Sequence, residues 1–234
     1  MNTNPTLLVN KSYCAPKLTP ISDVLSSYEL NTSALKVIAQ WCVDYLCNPH
    51  PELGRSGVVC PYSPTSMKKE TFWLTEIKTK GRTEEEIKQD IISLAYLFHE
   101  QEPRTGEATQ FKTIVSIWDD IYSEEDIARL HYEMKPIFLH EGLMLGEFFS
   151  SCEKRGLRNS NFYPLRSPVP LLVVREMLEF DIAFLSDSIE YIKEYIHKYG
   201  DRGLNTIKNM LNNNKRIGLN DEQIAVLKSY LMHQ

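Results

Sequence analysis

No stretch of this chain approaches the roughly 18 consecutive apolar residues that a membrane-spanning helix requires. Met1–Asn10 lacks the basic region and apolar core of a secretory signal. A cytoplasmic protein with no membrane partner is expected. Cysteine is scarce and unpatterned: Cys14, Cys42, Cys47, Cys60 and Cys152 form an odd set with no repeated spacing. That speaks against a disulfide framework and for reduced thiols. Positive charge is in deficit, with 26 Lys and Arg against 31 Asp and Glu and a net charge of −5. Broad nucleic-acid binding needs a basic face and is not expected, although a small basic pocket is still allowed. Also missing are a Gly-x-Gly-x-x-Gly fingerprint, a phosphate-binding P-loop, a Gly-x-Ser-x-Gly elbow, a Cys-x-x-Cys pair and a His-Glu-x-x-His pair.

What is present is an ordinary globular composition, 42% hydrophobic and 24% charged over 234 residues. That is enough chain to bury a core without covalent staples. Residues 1–31, with Pro5, Pro16 and Pro20, read as an irregular arm containing a short helix near Val24–Tyr28. A helix from about Ser33 to Cys47, capped by Asn31 or Thr32, carries an apolar stripe of Leu35, Ile38, Ala39, Cys42 and Leu46. Thr71–Lys78 reads as a strand, with Phe72, Leu74 and Glu76 on one face. Thr83 and Glu86 form a capping box opening a helix to about Glu102. Phe111–Trp118 alternates and is β-branched, which is strand character. Ser123 and Asp126 open the next helix, which Pro136 is expected to bend or end. Leu143–Phe149 and Val169–Arg175 are strands separated by a loop, 150–167, rich in Arg, Asn and Ser. A periodic helix over Ile182–Tyr199 should break at Gly200 and Gly203, and two more helices follow, the last starting at Asn220 and Gln223.

This order predicts an α+β (mixed α/β) fold. The expected form is a two-layer sandwich of an about four-stranded mixed sheet with helices, plus C-terminal helices. The expected divisions are an arm at 1–31, a core at 32–200 and a helical appendage at 201–234.

Two constellations carry chemistry. The first is Cys60-Pro61 in the loop from His50 to Pro64. A thiolate is a good ligand for haem iron, and a following proline turns the chain away. The plainer alternative is a half-buried loop cysteine. The same loop holds His50, Arg55 and two glycines, Gly54 and Gly57, that permit positive φ or close approach. The second is the arginine set Arg155, Arg158, Arg166 and Arg175, whose forks suit carboxylates. Arg166 and Arg175 flank the Ser167–Val174 run, which would hold them near one end of the sheet. The Glu194-x-x-His197 pair has no second copy and reads as a solvated helix face. His131 and His140, nine residues apart, fall on opposite faces of one helix.

The elements from His50 to Tyr62, Gly142 to Phe149 and Leu157 to Met177, the last followed by FDIAFL, resemble an uncharacterised bacterial family met among specialised-metabolite biosynthesis genes. In order of elements the chain is also similar to the YqcI/YcgG family, whose members resemble haem-dependent N-oxygenases. That resemblance implies a haem cofactor with O2 as co-substrate, acting on the nitrogen of a small amino acid or amine that carries a carboxylate. Cys60 would be the axial ligand, with His50 as the alternative. Arg55, Arg158, Arg166 and Arg175 would bind propionates or the substrate carboxylate. An electron donor or biosynthetic partner protein, and a homodimer, are compatible with it. Two alternatives stand beside it. One is a cofactor-free biosynthetic enzyme or binding protein for a small anionic metabolite. The other is a scaffold presenting the C-terminal helices with Tyr191 and Tyr195.

Overall fold

The computed structural model describes residues 16–29, 33–118, 123–213 and 218–233. Strand β1 (Thr19–Pro20) runs into helix α1 (Ile21–Ser26), and α2 (Ala34–Trp41) continues as a π-turn over Cys42–Leu46. Then come α3 (Ser63–Lys68), β2 (Phe72–Ile77), α4 (Glu84–Glu100), β3 (Thr113–Trp118), α5 (Glu124–His140), β4 (Leu143–Phe148) and β5 (Leu171–Glu176). Helices α6 (Ile189–Asn212) and α7 (Asp221–Met232) end the chain. The strands form one sheet in the order β1-β2-β3-β5-β4. β2 and β3 are parallel and the other pairs antiparallel, so the sheet is mixed as expected.

Two features go beyond the expected four strands in two layers. The segment read as an irregular arm supplies a short fifth strand, β1, and its helix starts earlier than predicted, at Ile21. Helices also lie on both faces. One face packs Trp73, Ile77, Ile114, Leu145, Leu172 and Val174 against α4 and α5. The other packs Phe72, Leu74, Val115, Ile117 and Leu171 against α1 and α2. Central strands apolar on both sides require cover on both sides.

The helix boundaries follow local chemistry. Thr83 and Glu86, Ser123 and Asp126, and Asn220 and Gln223 all form reciprocal capping boxes. Ser33 caps α2 by accepting from the Lys36 N–H at 3.2 Å. Asn31 and Thr32, expected in that role, lie outside the described residues, as does Cys14. Helix α5 runs through Pro136 to His140. The proline is exposed and so is Tyr132, one turn before it, so water can satisfy the carbonyl that loses its N–H partner. Gly200 does interrupt α6, with φ 53° and ψ −135°. Gly203 does not: it is buried where a Cβ would stand 3.0 Å from Tyr195, Ile196 and Tyr199 atoms. Tyr195 is fully buried, its hydroxyl donating to the Glu179 carbonyl at 2.8 Å, so it cannot serve as the exposed surface aromatic expected of it.

Helices α6 and α7 bury Ile207, Met210, Leu227 and Tyr230 in a cluster with Leu139, Met144, Met177 and Ile182. The C-terminal segment therefore shares a core with the sheet. Among the described residues no helix is long and apolar enough to cross a membrane.

Candidate functional site

A cavity of about 870 Å³ lies on the α1/α2 face of the sheet, beside the C-terminal end of α2, where Trp41, Cys42 and Leu46 line it. Cofactor and metabolite sites commonly fall in this size range. The strand register builds its floor. Phe72, Thr113, Arg175 and Met144 form one row across β2, β3, β5 and β4. Val115, Val173 and Gly146 continue the floor in the next row, whose β2 member, Leu74, is in the core off the cavity wall. Gly146 puts no side chain into the space above β4. Because β4 is the outermost strand, the cavity continues round its free edge and is also lined by Leu145 and Glu147, which point to the α5 face.

Two long connections form the walls, and they are clamped together. A Cβ on Gly54 would stand 2.8 Å from the Arg158 Cβ, and Gly54 has φ +72°. The His50 ring stacks on Phe162 with centroids 4.7 Å apart. The Asn159 side-chain amide donates to the Glu52 carbonyl at 2.9 Å, and the Tyr45 hydroxyl donates to the Pro164 carbonyl at 3.2 Å. The loop that begins HPELGR thus holds the 150–167 loop over the cavity. On the far side Gly218 approaches the Leu157 carbonyl so closely that any Cβ would lie 2.0 Å from its oxygen. Gly218, Asn220 and Gln223 close that wall.

The sequence-predicted residues divide into two groups. Cys60, Arg158 and Arg175 line the cavity, with Arg155 beside them. His50, Arg55 and Arg166 are not on its wall. His50 Nδ1 accepts the Glu52 N–H at 3.2 Å, within its own turn. The Arg55 guanidinium donates to the Ser56 and Val59 carbonyls at 3.0 and 2.9 Å. Arg166 donates from Nε to the Cys152 carbonyl at 3.2 Å and lies 4.2 Å over the Tyr163 ring. Arg166 and Arg175 were expected near the same end of the sheet. Instead Arg166 precedes β5 and Arg175 is near its last residue, so the strand separates them.

Arg175 is held in a fork by Asp181, at 2.6 and 2.7 Å, and Asp181 also accepts the Leu178 N–H at 2.6 Å. Its charge is matched before any ligand arrives, and this pairing pushes the Arg175 pKa above the ordinary arginine value despite burial. Arg155 and Arg158 differ. Both are exposed at the rim, and among the described residues neither has a carboxylate partner. Cys60 sits beside two other thiols. Burial raises Cys47 to about 11 and pushes Cys42 higher still, so both stay protonated. The four described cysteines are free, and no group of three or more potential metal-ligating side chains occurs among the described residues.

The edge of the cavity holds Lys135 from α5, Glu147 from β4, Lys154 and Asp187, which sequence reasoning passed over, and His131 from α5, which it set aside because His140 falls on the opposite helix face. The available signal was Glu147 itself, a carboxylate inside the apolar run Leu143–Phe149, since such residues are rarely buried without a reason. Lys135 is buried with its ammonium 4.6 Å from the Tyr191 ring centre, and burial lowers its pKa. Burial, with Lys154 and Lys135 nearby, brings His131 down to about 3 and keeps it neutral.

The chain belongs to the family described as Domain of unknown function (DUF6875), which it matches over residues 35–210. That span includes every cavity strand and both clamped loops, and stops short of the wall at Gly218–Gln223. No curated protein and no solved structure matches the chain.

Proposed function

We propose that this cavity binds a small, partly apolar anionic metabolite, and that the chain acts on it or carries it in a biosynthetic setting. The observation behind this reading is the pair Arg155 and Arg158. Among the described residues these guanidiniums have no carboxylate partner, and they lie on a clamped loop over an apolar floor, in a chain of net charge −5. Lys135 adds to them, whereas Lys154 and Arg175 are already paired with Glu147 and Asp181. Guanidinium forks select carboxylate and phosphate oxygens, and the apolar floor selects the rest of the molecule. A panel of carboxylate and phosphate metabolites, read by thermal shift on the full chain, tests it. At least one should raise the melting temperature of the wild type and fail to do so with the Arg155→Ala, Arg158→Ala double variant. A panel with no stabilising anion overturns the reading.

A haem-dependent N-oxygenase is the second reading, favoured by one observation: Cys60 lies on the wall of a cavity of cofactor size. Cys60 and Arg158 fit such a group, as thiolate ligand and as partner of a propionate. His50 does not fit, because its Nδ1 is occupied and its ring lies off the wall. When bound, haem would supply activation of O2, and an electron-donor protein would be required. The chain's own part would be to orient a carboxylate-bearing substrate through Arg155 and exclude water with the apolar floor. Titration with haemin decides it: a Soret band that is lost in Cys60→Ala supports this reading, and an unchanged free-haemin spectrum removes it.

A further inference from the structure

Neutral His131 and buried Glu147 face each other in an arrangement that is incomplete on its own. His131 Nε2 lies 3.0 Å from the Leu145 carbonyl oxygen. A carbonyl only accepts, so Nε2 carries the proton and Nδ1 presents a lone pair. Nδ1 lies 3.5 Å from Glu147 Oε2, and both side chains are 6% exposed. Oε2 is buried and has no hydrogen-bond partner among the described residues. Lys154 takes the other oxygen, Oε1, at 2.5 Å, which fixes the carboxylate with Oε2 toward the imidazole. Two buried acceptors thus stand face to face with no donor between them, at a separation too long for a direct hydrogen bond. Both residues line the cavity that holds Arg155 and Arg158. Lys154, half exposed, covers the pair with a flexible side chain that can yield to a ligand.

We propose that His131 and Glu147 form a subsite for a hydrogen-bond donor, and that the ligand of this cavity carries a protonated amine as well as its anionic group. This rests on the anionic-metabolite reading and narrows it to amino carboxylates. The ammonium donates to Glu147 Oε2 and His131 Nδ1, and the carboxylate pairs with Arg155 or Arg158. Lys154 and Lys135 balance Glu147 and Asp187 at this end, so the preference for a donor comes from the open Glu147 Oε2 and His131 Nδ1 rather than from net charge.

The test uses matched probes on the full chain by calorimetric titration: L-leucine with 4-methylpentanoate, L-phenylalanine with 3-phenylpropanoate, and L-glutamate with glutarate. The amino acid of at least one pair should bind about tenfold or more tighter than its deaminated partner, the effect of one charge-assisted hydrogen bond. In Glu147→Gln, which keeps the shape, that gap should close. With 15N-histidine labelling, the His131 Nδ1 resonance should move on adding the amino acid and stay still with the deaminated acid. This readout needs no variant. Equal binding of both members of every pair, or a stationary Nδ1, overturns the donor subsite and leaves the anion reading standing. So does binding of phosphate metabolites alone. If no anion of any class binds, both readings fall together.

Discussion

Gly54 and Arg158 are in backbone contact: a Cβ added to the glycine would lie 2.8 Å from the arginine Cβ and 2.9 Å from its carbonyl oxygen. These residues are more than 100 positions apart, and their contact sets the height of the arginine loop above the sheet. Gly54→Ala must adopt φ +72° with a side chain and also push the two loops apart. We expect it to cost about 2–3 kcal/mol of stability and to weaken anion binding. Gly57→Ala is the control. Its φ is +90°, but the nearest atom is the flexible end of Arg55 at 3.6 Å. It should cost about 1 kcal/mol and leave affinity unchanged. Melting curves and a binding isotherm for the two variants check this, and equal affinities would refute the clamp.

At the opposite wall, Gly218 meets the Leu157 carbonyl, and α7 packs Leu227 and Tyr230 into the core shared with α6. A chain ended at Asn213 loses both the wall and that burial. It should melt at a lower temperature and bind no ligand. A truncated chain with wild-type affinity would show that the last helix is dispensable to the cavity.

Asp181 neutralises Arg175 inside the cavity. Asp181→Asn leaves a guanidinium without its partner, which should cost about 3 kcal/mol. The same change frees a cation on the floor, so anion affinity should rise severalfold while stability falls. Denaturant titration and ligand titration read the two effects separately. A fall in both would mean that Arg175 does not face the ligand.

Acid should destabilise the protein through His131. Its folded pKa is lowered to about 3 from 6.5, so the unfolded chain takes up a proton first as pH falls. The stability from a neutral His131 is complete above pH 6.5, declines below it, and is lost at pH 3. The slope is about 1.4 kcal/mol per pH unit for one fully coupled group. His131→Gln keeps a donor for the Leu145 carbonyl and removes the titration. The difference between wild-type and variant stability should therefore shrink from pH 7 to pH 4. A constant difference would mean that folding leaves the His131 pKa unshifted, and a difference that grows toward pH 4 would mean that the imidazole is protonated in the fold.

The sequence by itself determined most of the helices and strands, because these follow from local chemistry, but not the short elements β1 and α3 or the start of α6 at Ile189. The capping boxes at Thr83, Ser123 and Asn220 each start the helix they announce. The stripe Ile87, Ile91, Leu94 and Phe98 faces the core, and the alternation of Phe72 and Leu74 sets one sheet face. The loop of His50 and the loop of the arginines were both legible as unusual. Their relation was not, because it is a contact across a large sequence separation that depends on sheet order. Only the tertiary structure decided that His50 and Arg55 secure a loop, that Arg166 and Arg175 sit apart, and that β4 lies at the edge. That edge lets one cavity reach both the floor under Cys60 and the buried pair His131 and Glu147. A strand's neighbours are fixed by the packing of the whole chain, and no local pattern of side chains encodes them.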